Sequence, residues 1–81
     1  MTEIKEVVEY LVKMIVDKPE EVEIAEKRGE HVIIFEIRAN KQDFGKILGK
    51  HAKNIQAIRT LVSAVSGKAG TGKRTTIEII E

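Results

Sequence analysis

Four residues in the middle of the chain have the types and spacing to do chemistry: Gly49-Lys50-His51-Ala52. An apolar run (Phe44, Ile47, Leu48) leads in, and a strongly periodic stretch (Ile55, Ile58, Leu61, Val62, Val65) leads out. The four therefore read as a tight turn between two helices, with positive charge at its tip. Such a turn sets exposed backbone N–H groups and a helix start beside a cation, which is how proteins hold phosphate oxygens. Lys46, Lys53 and Arg59 flank it, and the only acid between Arg38 and Arg74 is Asp43. These surroundings favour phosphate contact over the plainer alternative, a structural corner in which Gly49 ends a helix in the left-handed conformation and the lysines are merely solvated.

The other candidates fail on context. Gly67-x-x-x-x-Gly72-Lys73 has the spacing of a nucleotide-binding P-loop, but the next residue is Arg74 where Ser or Thr should hold Mg²⁺. A P-loop also follows a strand and opens a helix, whereas this one follows a helix and precedes a strand. Its Lys68, Lys73 and Arg74 read as a basic, flexible loop. His31 and His51 are the only histidines and there is no cysteine, so neither a metal centre nor an activated nucleophile is expected. Glu20, Glu21 and Glu23 read as a solvated strand border. No catalytic residue, no metal and no cofactor is expected, and the chain is read as a binding protein rather than an enzyme.

Composition sets the frame. Eighty-one residues suffice for one core but rarely enclose a deep pocket. Regularly spaced Val, Ile and Leu exclude a disordered chain. The lack of cysteine suits a reducing compartment, and no apolar run approaches membrane-spanning length. A soluble, cytoplasmic protein is expected. The formal net charge of +1 hides a polarity: residues 1–36 sum to −5 and residues 37–81 to +6. One half is suited to a polyanion and the other balances it.

The elements that must position the turn follow from periodicity. Ile4, Val7, Val8, Leu11, Met14 and Ile15 predict a helix over 2–16, capped by Thr2 and stopped before Pro19. Val22 and Ile24 alternate with Glu21 and Glu23, predicting a strand over 21–28. Gly29-Glu30 turns the chain into a second strand over 31–38, whose run Val32-Ile33-Ile34-Phe35 with Ile37 predicts a central strand covered at least in part on both faces. Asn40 caps a short helix, with Asp43 as its reciprocal partner. A third helix over about 52–66 and a strand over 74–80 complete the order helix-strand-strand-helix-helix-strand. Helices on one side of a three-stranded sheet satisfy every apolar face, and the two-helix crossover predicts a mixed sheet.

Residues 44–59, Phe44-Gly45-Lys46-Ile47-Leu48-Gly49-Lys50-His51-Ala52-Lys53-Asn54-Ile55-Gln56-Ala57-Ile58-Arg59, resemble the signature of the K-homology (KH) family: an apolar residue, Gly, two variable residues, Gly, then a helix with apolar positions three apart. The element order is similar to the type II KH fold, an α+β fold, over the whole chain. The resemblance implies one type II KH domain over 1–81, akin to the small bacterial single-KH-domain proteins. It further implies binding of single-stranded or loop RNA, self-association as a homodimer or pairing with a larger bacterial KH protein, and an RNA-chaperone role in cell elongation, cell shape and cell-wall homeostasis. KH domains grip the backbone of about four unpaired nucleotides with a GxxG loop. Carried across, Gly49, Lys50, His51 and Ala52 form the RNA clamp, Lys46, Lys53 and Arg59 assist electrostatically, and Ile47 and Ile55 shape the groove. Few aromatics are present (Tyr10, Phe35, Phe44), which argues against a base-stacking platform but not against a KH clamp. The departure is Ala52, where the family has its second Gly. We expect Ala52 to be the first regular residue of the helix, where Ala is tolerated; a positive φ would make the methyl group interfere. The rival reading is a KH fold kept for dimerisation, with RNA binding weak or lost and the helical face around Ile47–Ile58 as the partner surface.

Overall fold

The computed structural model describes residues 3–80. Its elements are α1 (Ile4–Lys13), β1 (Glu23–Arg28), β2 (Val32–Arg38), α2 (Phe44–Leu48), α3 (Lys53–Ala69) and β3 (Arg74–Ile79), with short 3₁₀ turns at Pro19–Glu21, Lys41–Asp43 and Lys50–Ala52. The sheet order is β1-β2-β3; β1 pairs antiparallel and β3 parallel to β2. This is the α+β architecture and mixed sheet of a type II KH fold.

The core explains why these segments take these forms. Alternate residues of β2, Ile33, Phe35 and Ile37, are completely buried, and Ile24 and Ile77 join them from the neighbouring strands. Ile4, Val8 and Val12 of α1 and Ile55, Ile58 and Val62 of α3 close over that face. Each such side chain contributes roughly 1.5–3 kcal/mol by leaving water, so the stripe on each helix decides which way it turns. The second face of β2 is covered in part, as expected. Val32, Ile34 and Glu36 are only half-buried, because all the helices lie on the opposite side.

Three boundaries also move. The first helix ends at Lys13, followed by a turn in which Ile15 and Val16 donate to the Val12 carbonyl; its expected Thr2 cap lies outside the described residues. The segment at Pro19–Glu21 is a 3₁₀ turn rather than the start of β1, as the fixed φ of Pro19 favours. The third helix continues through Gly67 to Ala69. It stops where Gly70 turns left-handed, with Gly70 N–H on the Gly67 carbonyl and Thr71 N–H on the Ser66 carbonyl, a Schellman ending. The expected flexible loop over 67–73 is therefore partly helix. Its remainder is held by Thr71, whose hydroxyl lies 2.6 Å from the buried Ser66 Oγ and accepts from Lys73 N–H.

Asp43 is the one carboxylate in the interior among the described residues, 2 % exposed. Asn40 does cap the turn, its Oδ1 accepting from Gln42 N–H at 2.9 Å. Asp43 is not its reciprocal partner. Its two oxygens instead accept the backbone N–H groups of Asp17 and Lys18, both at 3.1 Å. The segment after α1 has no regular partner for these amides, and the carboxylate supplies both acceptors. Among the described residues no helix is long and apolar enough to cross a membrane.

Candidate nucleic-acid interface

The Gly49–Ala52 turn is built from backbone shape. Gly49 sits at φ 76°, ψ 171°, a region open in practice only to glycine. A β-carbon there would lie 2.5 Å from Asn54 Cγ. Asn54 in turn donates from Nδ2 to the Lys46 carbonyl at 2.8 Å, tying the end of α2 to the start of α3. His51 and Ala52 are then both left-handed, at φ 57° and 59°. Two consecutive left-handed residues swing the chain so that α3 can start in a new direction.

Ala52 is thus a correction. It is not the first regular residue of the helix; α3 begins one residue later, and Ala52 holds the positive φ that glycine accepts freely. Its methyl group packs at the edge of the core, which offsets part of the roughly 1–2 kcal/mol cost of a left-handed residue. The sequence could not disclose this, because the sharp change in direction between α2 and α3 sets the dihedral angles rather than any local preference of Ala.

The tip is open and positive. Lys50, His51 and Lys53 are exposed. Ala52 N–H is used on the Gly49 carbonyl, and Lys53 N–H on that of Lys50. Among the described residues the Lys50 and His51 amides have no intramolecular acceptor. Two adjacent free amides flanked by lysines can donate to two oxygens of one phosphate group.

The remaining expected site residues divide. Lys46 lies one helical turn before the loop but its Nζ is paired with the Asp17 carboxylate. That hydrogen bond holds its ammonium above the ordinary lysine range; desolvation opposes it, and the charges of Asp17 and Asp43 add to it. Ile47 and Ile55 are 0 % and 2 % exposed and point into the core, so they support the turn from beneath and have no surface to offer a base. Arg59 lies two turns along α3 and donates from Nη2 to the Ile77 carbonyl of β3 at 3.1 Å. Lys68, Lys73 and Arg74 stand at the far end of α3, about 25 Å from the clamp by helix rise. Asn54 and Asp17 were not found by sequence reasoning. An isolated Asn on a helix and an exposed Asp before a proline carry no signal until the fold brings them to Lys46.

Two open concavities, of about 340 and 300 Å³, flank α1. Neither is lined by a residue of the clamp, and among the described residues no cluster of three or more His, Asp or Glu could hold a metal. An exposed basic tip of this form can bind an extended polyanion.

Known proteins supply an independent comparison. Residues 5–79 match the family described as KhpA/KhpB, KH domain. The chain is 46 % identical over 77 residues to the RNA-binding protein KhpA of Chlamydia pneumoniae, covering 95 % of this chain and 96 % of that one. It is 35 % identical to the RNA-binding protein KhpA of Aquifex aeolicus over the full length of both. A crystal structure of Aquifex aeolicus Era superposes with a TM-score of 0.67 at 19 % identity, covering 94 % of this chain and 29 % of that one, a likeness of fold. A family match across nearly every residue, on a structure with the matching element order, leads to one conclusion: the chain belongs to the KhpA/KhpB KH-domain family.

Proposed function

We propose that this protein is an RNA-binding module, not an enzyme, that grips the backbone of single-stranded or loop RNA through Gly49–Ala52. The observation that supports this most is the pair of unengaged amides at Lys50 and His51, held at an exposed basic tip by a backbone that Gly49 and Asn54 fix. The names of its relatives agree with it. A cytoplasmic RNA chaperone acting on transcripts for cell elongation and wall homeostasis is the cellular role consistent with this chemistry. The test is Lys50→Asp combined with His51→Asp. Both side chains are exposed, so the thermal midpoint should stay within a few degrees while RNA affinity is lost in a filter-binding or anisotropy assay. Unaltered affinity would overturn the clamp.

A second activity, self-association, is favoured by a specific observation. Tyr10, Met14 and Leu61 are 67, 66 and 51 % exposed; Tyr10 lies on α1, Met14 just past its end and Leu61 on α3, and the two helices pack against each other. Large apolar side chains exposed on two packed helices favour a contact surface for a second copy or a larger KH protein. In the stretch Ile47–Ile58, by contrast, Ile47, Ile55 and Ile58 are buried and only Leu48 is an exposed large apolar side chain. Leu61→Glu should shift the protein to monomer in sedimentation without unfolding it.

A further inference from the structure

We propose that the free edge of β1, opposite β3 in the sheet, takes up an extended acidic segment of another protein as an added strand. The inference stands apart from the RNA-binding reading above and gives the chain a second kind of partner.

β2 lies between β1 and β3, so β1 has a neighbour on one side only. Gly29 N–H donates to the Val32 carbonyl at 2.7 Å, which makes residues 29 and 32 a hydrogen-bonded pair. Such pairs alternate along an antiparallel ladder. The register therefore adds Lys27↔Ile34, Ala25↔Glu36 and Glu23↔Arg38 to the same set. Ile24, Glu26 and Arg28 turn both backbone groups away from β2, and among the described residues nothing in the chain engages them. Natural edges are commonly closed by a proline, a bulge or a row of charges. β1 has no proline, and its register is unbroken over Glu23–Arg28. Its charges are held within the chain, Glu26 by Arg28 and Lys27 by Glu36 at 3.4 Å. What is left open is a row of backbone donors and acceptors in the order an added strand requires.

The concavity of about 340 Å³ lies beside this edge, between Lys5 and Glu9 of α1 on one side and Glu23–Ala25 with Arg38 on the other. Its charge is unbalanced. Glu9 is bonded to Lys13 at 3.2 Å, whereas among the described residues no carboxylate pairs with Lys5 or Arg38. Glu23 is the remaining acid of the groove, so unengaged cations outnumber unengaged anions there. An acidic strand answers both cations, and a basic one adds like charge to them. Lys5 approaches from α1 and Arg38 from β2. Neighbouring residues of an added strand point to opposite faces, so two adjacent acids reach one cation each. The partner's backbone supplies the pairing and its acids supply the selection.

The test titrates the chain with the capped peptide Val-Thr-Glu-Glu-Thr-Val, with its Lys-Lys analogue, and with two N-methylated forms of the acidic peptide. Each of those two carries methyl groups on one of the alternating sets of amides. Binding is followed by backbone amide exchange in NMR spectra. The acidic peptide should slow exchange at the Ile24, Glu26 and Arg28 N–H groups, and the Lys-Lys analogue should bind about fivefold more weakly. One methylated form should lose binding and the other keep it, because only one set of amides faces β1. Lys5→Glu combined with Arg38→Glu should weaken the acidic peptide about tenfold at an unchanged thermal midpoint. No slowing at those three amides, equal behaviour of the two methylated forms, a folded double variant of undiminished affinity, or displacement of the peptide by oligouridine each overturns the inference. If the double variant does not fold, the methylated pair decides the matter on the wild-type chain. The affinity of the chain for oligouridine alone is measured beside these titrations, so failure of the peptide site and failure of the RNA-binding reading are separate results.

Discussion

At the scale of single residues, Ala52 makes the clearest quantitative prediction. It holds φ 59°, a conformation costing an L-residue roughly 1–2 kcal/mol. Replacing it with glycine removes that cost. It also removes a half-buried methyl group and adds freedom to the unfolded chain, which together take back about 1 kcal/mol. Ala52→Gly should therefore raise stability by about 0–1 kcal/mol in urea denaturation, with RNA affinity unchanged or higher. A loss of stability would mean that the methyl packing outweighs the strain. Gly49→Ala should go strongly the other way, by about 3 kcal/mol, since it adds both a forbidden φ and a collision with Asn54.

At the scale of elements, Asp43 ties the chain after α1 to the chain before α2, across a sequence separation of 26 residues. Its carboxylate answers two backbone donors that otherwise have no acceptor. Asp43→Ala should cost about 2–4 kcal/mol, because two part-buried amides and the vacated volume are left uncompensated. Asp43→Asn retains one acceptor and should cost about half as much; equal losses in the two variants would show that volume, not hydrogen bonding, is what matters. This contact also shows where the sequence stops being legible. The strands, the two long helices and the mixed sheet follow from the spacing of Ile and Val, because apolar periodicity is local. The partners of Asp43, Asp17 and Asn54 depend on which segments the fold brings together, and no local pattern encodes that. The position of the turn between α2 and α3 could be read from Gly49 and the lysines around it. Its left-handed pair could not, since His and Ala state no preference for it.

Across the whole molecule, the charge polarity becomes a division between surfaces. The clamp, the start of α3 and Arg59 lie in the half of the chain that sums to +6, and most of α1 and β1 in the half that sums to −5. The two meet at Asp17 and Lys46. If about three cations at the clamp contact phosphates, the logarithm of RNA affinity should fall with the logarithm of salt at a slope near −2, an approximately 20-fold loss between 50 and 200 mM. Asp17→Asn should steepen that slope by releasing Lys46. A salt-independent affinity would show that apolar contacts, not phosphates, hold the ligand.

The Gly49–Ala52 turn keeps its shape through Gly49, Asn54 and two backbone dihedrals, and the side chains of Lys50 and His51 take no part in holding it. What the loop is and what it carries are therefore separate variables. Evolution or an engineer can recharge the tip, adding an arginine for tighter grip or an acid for none, while the scaffold registers almost no change. A family of such domains can then spread over many ligands by drift at two positions, provided the glycine before them is left alone.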